Sequence, residues 1–335
     1  MALATSMVEK EGNVVEGVLH CSHFDCRHEY PILDSVPLLV EDLRGYVQVN
    51  IGELLRRRDL SETTHSLLGD CLGPGTPFDV VRQQLSSYTW DHYGQHDPTE
   101  AMKSPEPGSL FAVWQEGMRL CGKVPLGPVL DLGCGVGGVA CHIAEASGQQ
   151  VLGIDFNFPM IRLAAQVARE QRVSYPLRRT GVVYDRREFA LPLANAENLD
   201  FWACDAGALP LEDGMFSLVV ALNILDATPA PLGLLQEIAR MLRPGGKAII
   251  ATPFDWSPAA TAVEQWIGGH SQRGDDQGQG APLLRKLLTP GGHPSTITGL
   301  RILGEHDDLT WRVRMHDRSF VQYREYLVAV EKLAD

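Results

Sequence analysis

Residues 129–157, VLDLGCGVGGVACHIAEASGQQVLGIDFN, decide the fold of this chain. The stretch opens on the apolar run 129–132, of the length and branching expected of a buried parallel strand. Gly133-Cys134-Gly135-Val136-Gly137-Gly138 follows, a turn whose missing side chains let the backbone approach a ligand closely. An amphipathic run through Val139, Ile143 and Ala146 then stops at Gly148, and 151–154 reads as a second strand. That strand ends in Asp155, placed where an acid takes the two hydroxyls of a ribose. Strand, glycine turn, helix, strand and acid together make a nucleoside-binding βαβ unit.

The glycines alone leave the nucleoside open, because Gly133-x-Gly135-x-x-Gly138 also satisfies a dinucleotide fingerprint. Asp131, inside the strand just before the turn, decides against it: a carboxylate there repels a pyrophosphate but suits a ligand carrying an ammonium and a sulfonium. DLGCGVGG resembles motif I of class I S-adenosylmethionine methyltransferases. A nicotinamide enzyme is the competing reading. The resemblance implies an α/β, Rossmann-like sheet of seven strands with the last antiparallel. It also implies a cofactor site lined by Tyr93, Asp131, Gly133, Cys134, Gly135, Gly137, Asp155, Phe156, Asn157, Met160 and Asn223. Cys204-Asp205-Ala206, at the end of a strand expected over 199–203, fits the adenine: the acid accepts its amino group and the small neighbours leave room for the ring.

The rest of the chain bounds the partners. A net charge of −13 argues against a nucleic-acid substrate, since phosphate affinity needs a Lys/Arg surface. Seven scattered cysteines, several in core elements, read as a reducing compartment. No run approaches the roughly 18 apolar residues of a membrane span, and the N-terminus lacks a signal-like apolar region. A cytoplasmic protein without membrane or nucleic-acid partners, acting on a small molecule, is expected.

Three segments are expected. Residues 1–45 form an appendage in which Tyr30-Pro31-Ile32-x-Asp34-x-Val36-Pro37 resembles the end of the zinc-ribbon-like domain called Trm112-like. A full ribbon needs four ligands. Cys21 and Cys26 are spaced Cx4C with no upstream pair, and His20, His23 and His28 fit no standard knuckle, so a degenerate, metal-free ribbon is expected and no zinc at Cys21/Cys26. Residues 46–125 look helical and contain an aromatic and polar cluster, 87–94. This cluster is either a cap over the sheet edge or a lid with His92 and Tyr93 facing substrate. Residues 126–335 form the cofactor-binding domain.

Within that domain, 160–169 reads as a helix and 173–198 as an insertion with solvated charges. Strands are expected over 199–203, 216–222 and 247–251, with a helix over 232–242 ending at Arg243-Pro244-Gly245-Gly246. Asn223 and Asp226 follow the fourth strand, facing the methyl donor or else capping the next turn and helix. Residues 271–282 read as a mobile glycine-rich loop. The alternation over 311–316 indicates a strand, and 326–330 the closing one.

The second half is also similar to the 4-mercaptohistidine N1-methyltransferase domain of ovothiol synthesis. The similar residues are His92-Tyr93-Gly94, Asp131–Gly137, Gly153-Ile154-Asp155-Phe156, Asn223-x-x-Asp226, Pro253-Phe254-x-Trp256, Trp266-x-Gly268-Gly269 and Arg314-x-His316-x-Arg318-x-Phe320. This covers about residues 88–330. The chain departs in lacking sulfoxide-synthase domains, in its half-ribbon and in a longer glycine loop. The resemblance implies N-methylation of an imidazole, with Tyr88, Tyr93, Asn223, Asp226, Trp256, Trp266, Arg314 and His316 around the substrate. Neutral imidazole is abundant at pH 7 and needs no strong base. Asp226 would orient the ring through its second nitrogen, and Arg314, with His316 nearby, would hold a substrate carboxylate. A carbon or alcohol nucleophile would instead use His92 or His316 as base. O-, C- or S-methylation of another small molecule, and a non-catalytic partner subunit, are the alternatives.

Overall fold

A computed structural model describes residues 2–10, 12–21, 28–54, 56, 65, 68–69, 71–100 and 106–334. The strands β1 (Ala2–Lys10), β2 (Asn13–Cys21), β3 (Glu29–Leu33) and β4 (Val36–Leu39) precede the helices α1 (Leu43–Leu54), α2 (Pro77–Tyr93) and α3 (Ser109–Cys121). An alternating stretch follows: β5 (Val129–Leu132), α4 (Gly138–Ser147), β6 (Val151–Asp155) and α5 (Phe158–Glu170). Next come β7 (Arg172–Thr180), β8 (Val183–Ala190), β9 (Leu199–Cys204), β10 (Phe216–Leu222), α6 (Pro231–Met241) and β11 (Leu242–Thr252). The helix α7 (Gly280–Leu288) and the long pair β12 (Leu300–His316) and β13 (Ser319–Lys332) complete the chain.

The architecture is α/β, with a large sheet that is parallel at its centre and antiparallel toward both edges. Strand order is β1-β2-β3-β4-β9-β6-β5-β10-β11-β13-β12. β9, β6, β5, β10 and β11 run parallel, and β13 enters antiparallel between β11 and β12. The sheet therefore does not stop at the expected seven strands but has eleven, because β4 pairs in parallel with β9 and carries the N-terminal strands with it. Sequence could not show this edge pairing, since it rests on two short register pairs, Leu38 with Ala203 and Leu39 with Cys204.

Burial follows from this placement. Every residue of β10 is buried, as expected of a central parallel strand covered on both faces. One face packs against α1, α3, α4 and α5 through Tyr46, Val113, Val139 and Ile161. The other packs against α6 and α7 through Leu234, Leu235, Leu284 and Leu287. The insertion at 173–198 is an antiparallel β7–β8 hairpin. Its Val173, Tyr175 and Leu177 pack on Trp90 and Tyr93 of α2, a third core patch that leaves the intervening charges outward.

Three boundaries differ from expectation. α6 stops where the Pro-Gly signal placed it, but β11 begins at Leu242 because the chain re-enters extended backbone before the glycines. The loop expected over 271–282 is closed by the Gly269 N–H donating to the Gly278 carbonyl at 2.7 Å, and helix α7 starts inside that range at Gly280. The cluster 87–94 is mostly the last turns of one long helix, capped at its start by Thr76 accepting the Asp79 N–H. Cys26 and His23 lie outside the described residues, whereas Cys21 ends β2, half-buried.

Candidate active site

The carboxyl ends of β5, β6, β10 and β11, where an open parallel sheet has its ligand crevice, bring expected site residues together. The first wall of the crevice is the glycine turn after β5. Gly133 and Cys134 donate their N–H groups to the Ile154 carbonyl at 2.8 and 3.0 Å, which fastens the turn to β6. Gly133 has φ +70°, and a Cβ there would lie 2.9 Å from Ile224. Gly135 has φ +56°, and the space its Cβ would occupy meets nothing closer than the Met160 sulfur at 4.0 Å, so the backbone is bare toward the crevice.

Two acids stand beside this turn. Asp155 at the end of β6 accepts the Gly135 N–H at 2.9 Å on one oxygen and the Asn157 N–H at 2.7 Å on the other. Burial raises its pKa, while the N–H groups of Asn157, Gly135 and Phe156 pull it back. Asp131 is 3 % exposed, and its Oδ2 has no hydrogen-bond partner. Burial and then the Asp155 charge lift its pKa to about 7, against the opposing backbone N–H of Ala140. Phe156 projects half-exposed next to Asp155, its ring edge-on to Tyr46 at 4.8 Å, and the Tyr46 hydroxyl donates to the Phe156 carbonyl at 2.7 Å. Asn157 caps α5 by accepting the Met160 N–H. Cys204 and Ala206 are buried at the end of β9, and the half-buried Asp205 accepts the Gly207 N–H at 2.8 Å.

The residues His92 and Tyr93 support the turn from behind. The His92 Nδ1 accepts the Gly138 N–H at 2.9 Å, which places the ring proton on Nε2, and burial depresses its pKa to about 4. The Tyr93 hydroxyl donates to the Val136 carbonyl at 2.7 Å, and burial raises its pKa. The structure thus corrects the lid reading of these two side chains: both are buried props of the glycine loop, because helix α2 runs straight under it.

The far end of the crevice gathers residues from four elements. Asn223 follows β10 with φ +58°, and both atoms of its amide are buried with no partner other than Glu325. Asp226 is 5 % exposed; its Oδ2 accepts the Asp255 N–H at 2.6 Å. Burial raises its pKa, and the Asp255 N–H and the Thr252 hydroxyl oppose the rise. The expected helix-capping alternative for Asp226 does not hold, since α6 is preceded by Ala230 and has no side-chain cap. Trp256 and Trp266 stack at 5.9 Å, and the Trp266 indole N–H donates to the Thr261 carbonyl at 2.9 Å.

Tyr88 reaches this end from α2. Its ring centroid lies 6.4 Å from that of Trp311, and its pKa is pushed up to about 12 by burial and by the charges of Asp155, Tyr323, Asp226 and Asp91. Trp311 stacks on Tyr323 at 4.9 Å and donates its indole N–H to Asp91 at 3.1 Å.

Arg314 and His316 are placed elsewhere. The Arg314 guanidinium is 4 % exposed; it donates to the Arg178 carbonyl at 2.9 Å and pairs with Asp317, fastening the tip of β12 to the β7–β8 hairpin. The His316 Nδ1 accepts the Arg318 N–H at 3.2 Å in the β12–β13 turn. The carboxylate clamp expected of this pair is corrected on that ground: the register that buries Trp311 carries the strand's next residues to the hairpin edge.

Sequence reading missed Glu325, Tyr323, Asp255 and Asp91. Glu325 lies in β13, opposite Leu309 of β12, and is 0 % exposed, with the Asn223 side chain as its hydrogen-bonding neighbour. A signal was available: it is the acid that opens the apolar run 326–330, where a buried strand has no use for a charge.

Comparison with known proteins follows this geometry. Residues 130–250 match the family model described as "Methyltransferase domain". The chain is 25 % identical over 186 residues to the chloroplastic tocopherol O-methyltransferase of Arabidopsis thaliana, covering 52 % of this chain and 47 % of that one. It is 26 % identical over 182 residues to the norajmaline N-methyltransferase of Rauvolfia serpentina, covering 52 % and 54 %. A solved methyltransferase from Methanosarcina mazei superposes with a TM-score of 0.40 at 20 % identity, over 62 % of this chain and 93 % of that one. The chain spans about half the length of the two curated relatives. Residues 130–250 are thus similar to a methyltransferase domain.

Proposed function

We propose that the protein transfers a methyl group from S-adenosylmethionine to a small molecule, and that the acceptor is a ring nitrogen, best an imidazole of the histidine or thiohistidine type. One observation carries this reading. Asp131, Asp155, Asp226 and Glu325 gather at the carboxyl end of the parallel strands, burial raises the pKa of each, and the leading charges acting on Asp131, Asp226 and Glu325 are those of other acids. Such a site stabilises positive charge and repels anions. The named relatives methylate an oxygen acceptor in one case and a nitrogen acceptor in the other, so relatedness leaves the atom undecided.

The residues at the glycine end fit the cofactor. The unpartnered Asp131 Oδ2 supplies the negative charge that an ammonium or sulfonium requires, and the bare backbone at Gly135 leaves a cradle that a Cβ would fill. Each Asp155 oxygen retains a lone pair beyond its backbone bond, available to a ribose hydroxyl. Phe156 and Met160 would flank the adenine, with Asp205 at its amino edge and Cys204 and Ala206 beneath.

S-adenosylmethionine supplies an electrophilic methyl carbon on a sulfonium. The chain's own part is to bind, orient and exclude water. Tyr88, on which the charges of Asp155 and Asp226 both act, would set the line between donor and acceptor. Asp226 holds the loop after β11 through the Asp255 N–H and so fixes that wall of the pocket. The protein is expected to work as a soluble enzyme of the cytoplasm without metal, with 1–45, 46–125 and 126–335 as ribbon-like segment, helical cap and catalytic domain.

Two measurements test this. A panel of imidazole, catechol and thiol acceptors with labelled cofactor should give methyl on a ring nitrogen; label on oxygen or sulfur alone would refute the nitrogen reading. Asp155→Ala should weaken S-adenosylmethionine binding by about 100-fold, the loss of two or three charge-assisted hydrogen bonds. Calorimetry reads this directly, and unchanged affinity would remove Asp155 from the site.

A further inference from the structure

The acids of the crevice differ in what they are already doing. Asp91 accepts the N–H groups of Gly108 and Ser109, each at 2.9 Å, and the indole of Trp311. Asp226 accepts the Asp255 N–H at 2.6 Å. Glu325 has less: it is fully buried, and the Asn223 side chain is the one hydrogen-bonding neighbour that acts on its carboxyl among the described residues. The residue after it, Tyr326, pairs with Thr252, the last residue of β11, so Glu325 sits at the carboxyl edge of the sheet where the crevice lies. Asn223, whose amide has no other partner, hydrogen-bonds toward Glu325 and so pulls its pKa down. A buried carboxyl and a buried amide that have only each other keep hydrogen-bonding capacity unmet, which is costly away from water. A ligand that bonds to both removes that cost.

We propose that Glu325, with Asn223 beside it, docks the N–H of the acceptor, and that the orienting role expected of Asp226 falls to this residue of the antiparallel strand. The inference rests on the nitrogen-acceptor reading above and names the residue that reads the acceptor. The acceptor's free ring nitrogen forms the new bond to the methyl carbon as the carbon–sulfur bond breaks, its electron pair staying on sulfur. The ring's second nitrogen gives its proton to the Glu325 carboxylate, the product leaves as a neutral N-methyl ring, and Glu325 returns the proton to water. An N–H opposite the attacking nitrogen is what distinguishes an imidazole from a simple amine, so this geometry selects for it. The groups facing Glu325 agree: Asp226 from the end of β10 and Asp91 from α2 both raise its pKa, which burial lifts to about 8. An empty pocket therefore keeps Glu325 protonated near neutrality, and an incoming N–H favours the carboxylate.

The test needs no turnover. Protein saturated with S-adenosylhomocysteine is titrated with L-histidine and with 4-mercaptohistidine by calorimetry. Wild type should bind at least one, and Glu325→Gln should weaken that binding by about 30-fold while the affinity for S-adenosylhomocysteine stays within twofold. Between pH 7 and 9, where the ring is neutral, wild-type acceptor affinity should rise and that of E325Q stay flat; a purely structural glutamate would leave the profile unmoved. Unchanged acceptor affinity in E325Q overturns the role of Glu325 and leaves the nitrogen reading standing. A wild type that holds S-adenosylhomocysteine but neither imidazole overturns that reading and this inference together. Should E325Q fail to bind S-adenosylhomocysteine through loss of the fold, Glu325→Asp carries the comparison: retreat by one methylene should weaken the acceptor about tenfold, and unchanged affinity overturns the proposal.

Discussion

The two ends of the crevice are built to opposite rules. At the glycine end nearly every polar group is spent. The turn's N–H groups go to the Ile154 carbonyl and to Asp155, Gly138 donates to His92, and the Val136 carbonyl accepts from Tyr93. At the far end Asn223 and Glu325 keep unspent groups in full burial. A prepaid loop fits a ligand common to many enzymes, bound by shape and one charge. An unsatisfied pair fits a particular acceptor, because it penalises whatever fails to bond to it. The difference places preorganisation on the cofactor side and selectivity on the acceptor side.

The contrast breaks first if the glycine end proves tolerant. His92→Ala removes the acceptor for the Gly138 N–H and opens a cavity under the loop. The expected cost is about 3 kcal/mol of stability, read by denaturant titration, with cofactor affinity reduced as the loop relaxes. The histidine also predicts a pH dependence. Its folded pKa, about 4, lies below the ordinary value, so its contribution is complete above about pH 6.5 and is lost as pH falls toward 4. His92→Ala should abolish that part of the acid sensitivity.

Arg314 sharpens the comparison from outside. The structure makes it a fastener between β12 and the β7–β8 hairpin rather than a part of either end. Arg314→Met should cost about 2 kcal/mol, since the Arg178 carbonyl loses a charged donor, and should leave the affinities for cofactor and acceptor unchanged. A selective rise in acceptor KM with an unaltered melting temperature would return Arg314 to the substrate site.

How much of this was legible depends on how local each feature is. The βαβ unit, the strand ends at Asp155, Cys204 and Asn223, and helices α3 and α5 were readable because they rest on contiguous patterns. The pairing of β4 with β9 was not, being a contact between segments some 160 residues apart in the chain, and periodicity carries no information about partners. Arg314 was misplaced for the same reason: alternation shows which residues share a face of a strand but not what lies across it. Glu325 was visible as an oddity, yet an acid within an apolar run has meaning only once the end of β10 is known to lie beside it.

The last predicted effect concerns a group at the glycine end that is not spent. Asp131 Oδ2 is unpartnered, and the pKa near 7 means that the empty site holds a proton until about neutrality. Because that pKa is raised above the unfolded value, the stability this proton gives the empty site is complete below about pH 4 and is lost as pH climbs to about 7. A cationic ligand reverses the sign, since it favours the carboxylate that the empty pocket penalises. S-adenosylmethionine affinity should therefore strengthen from pH 5 to 7, by at most about tenfold per pH unit, and level off above. Asp131→Asn keeps the shape and should flatten the profile. Repeating the titration with S-adenosylhomocysteine, which lacks the sulfonium, identifies the charge that Asp131 answers. An equally steep profile assigns it to the ammonium, and a shallower one to the sulfonium. A wild-type profile that is flat for both ligands would mean that Asp131 belongs with the spent groups, and the division between the two ends of the crevice would then rest on Asn223 and Glu325 alone.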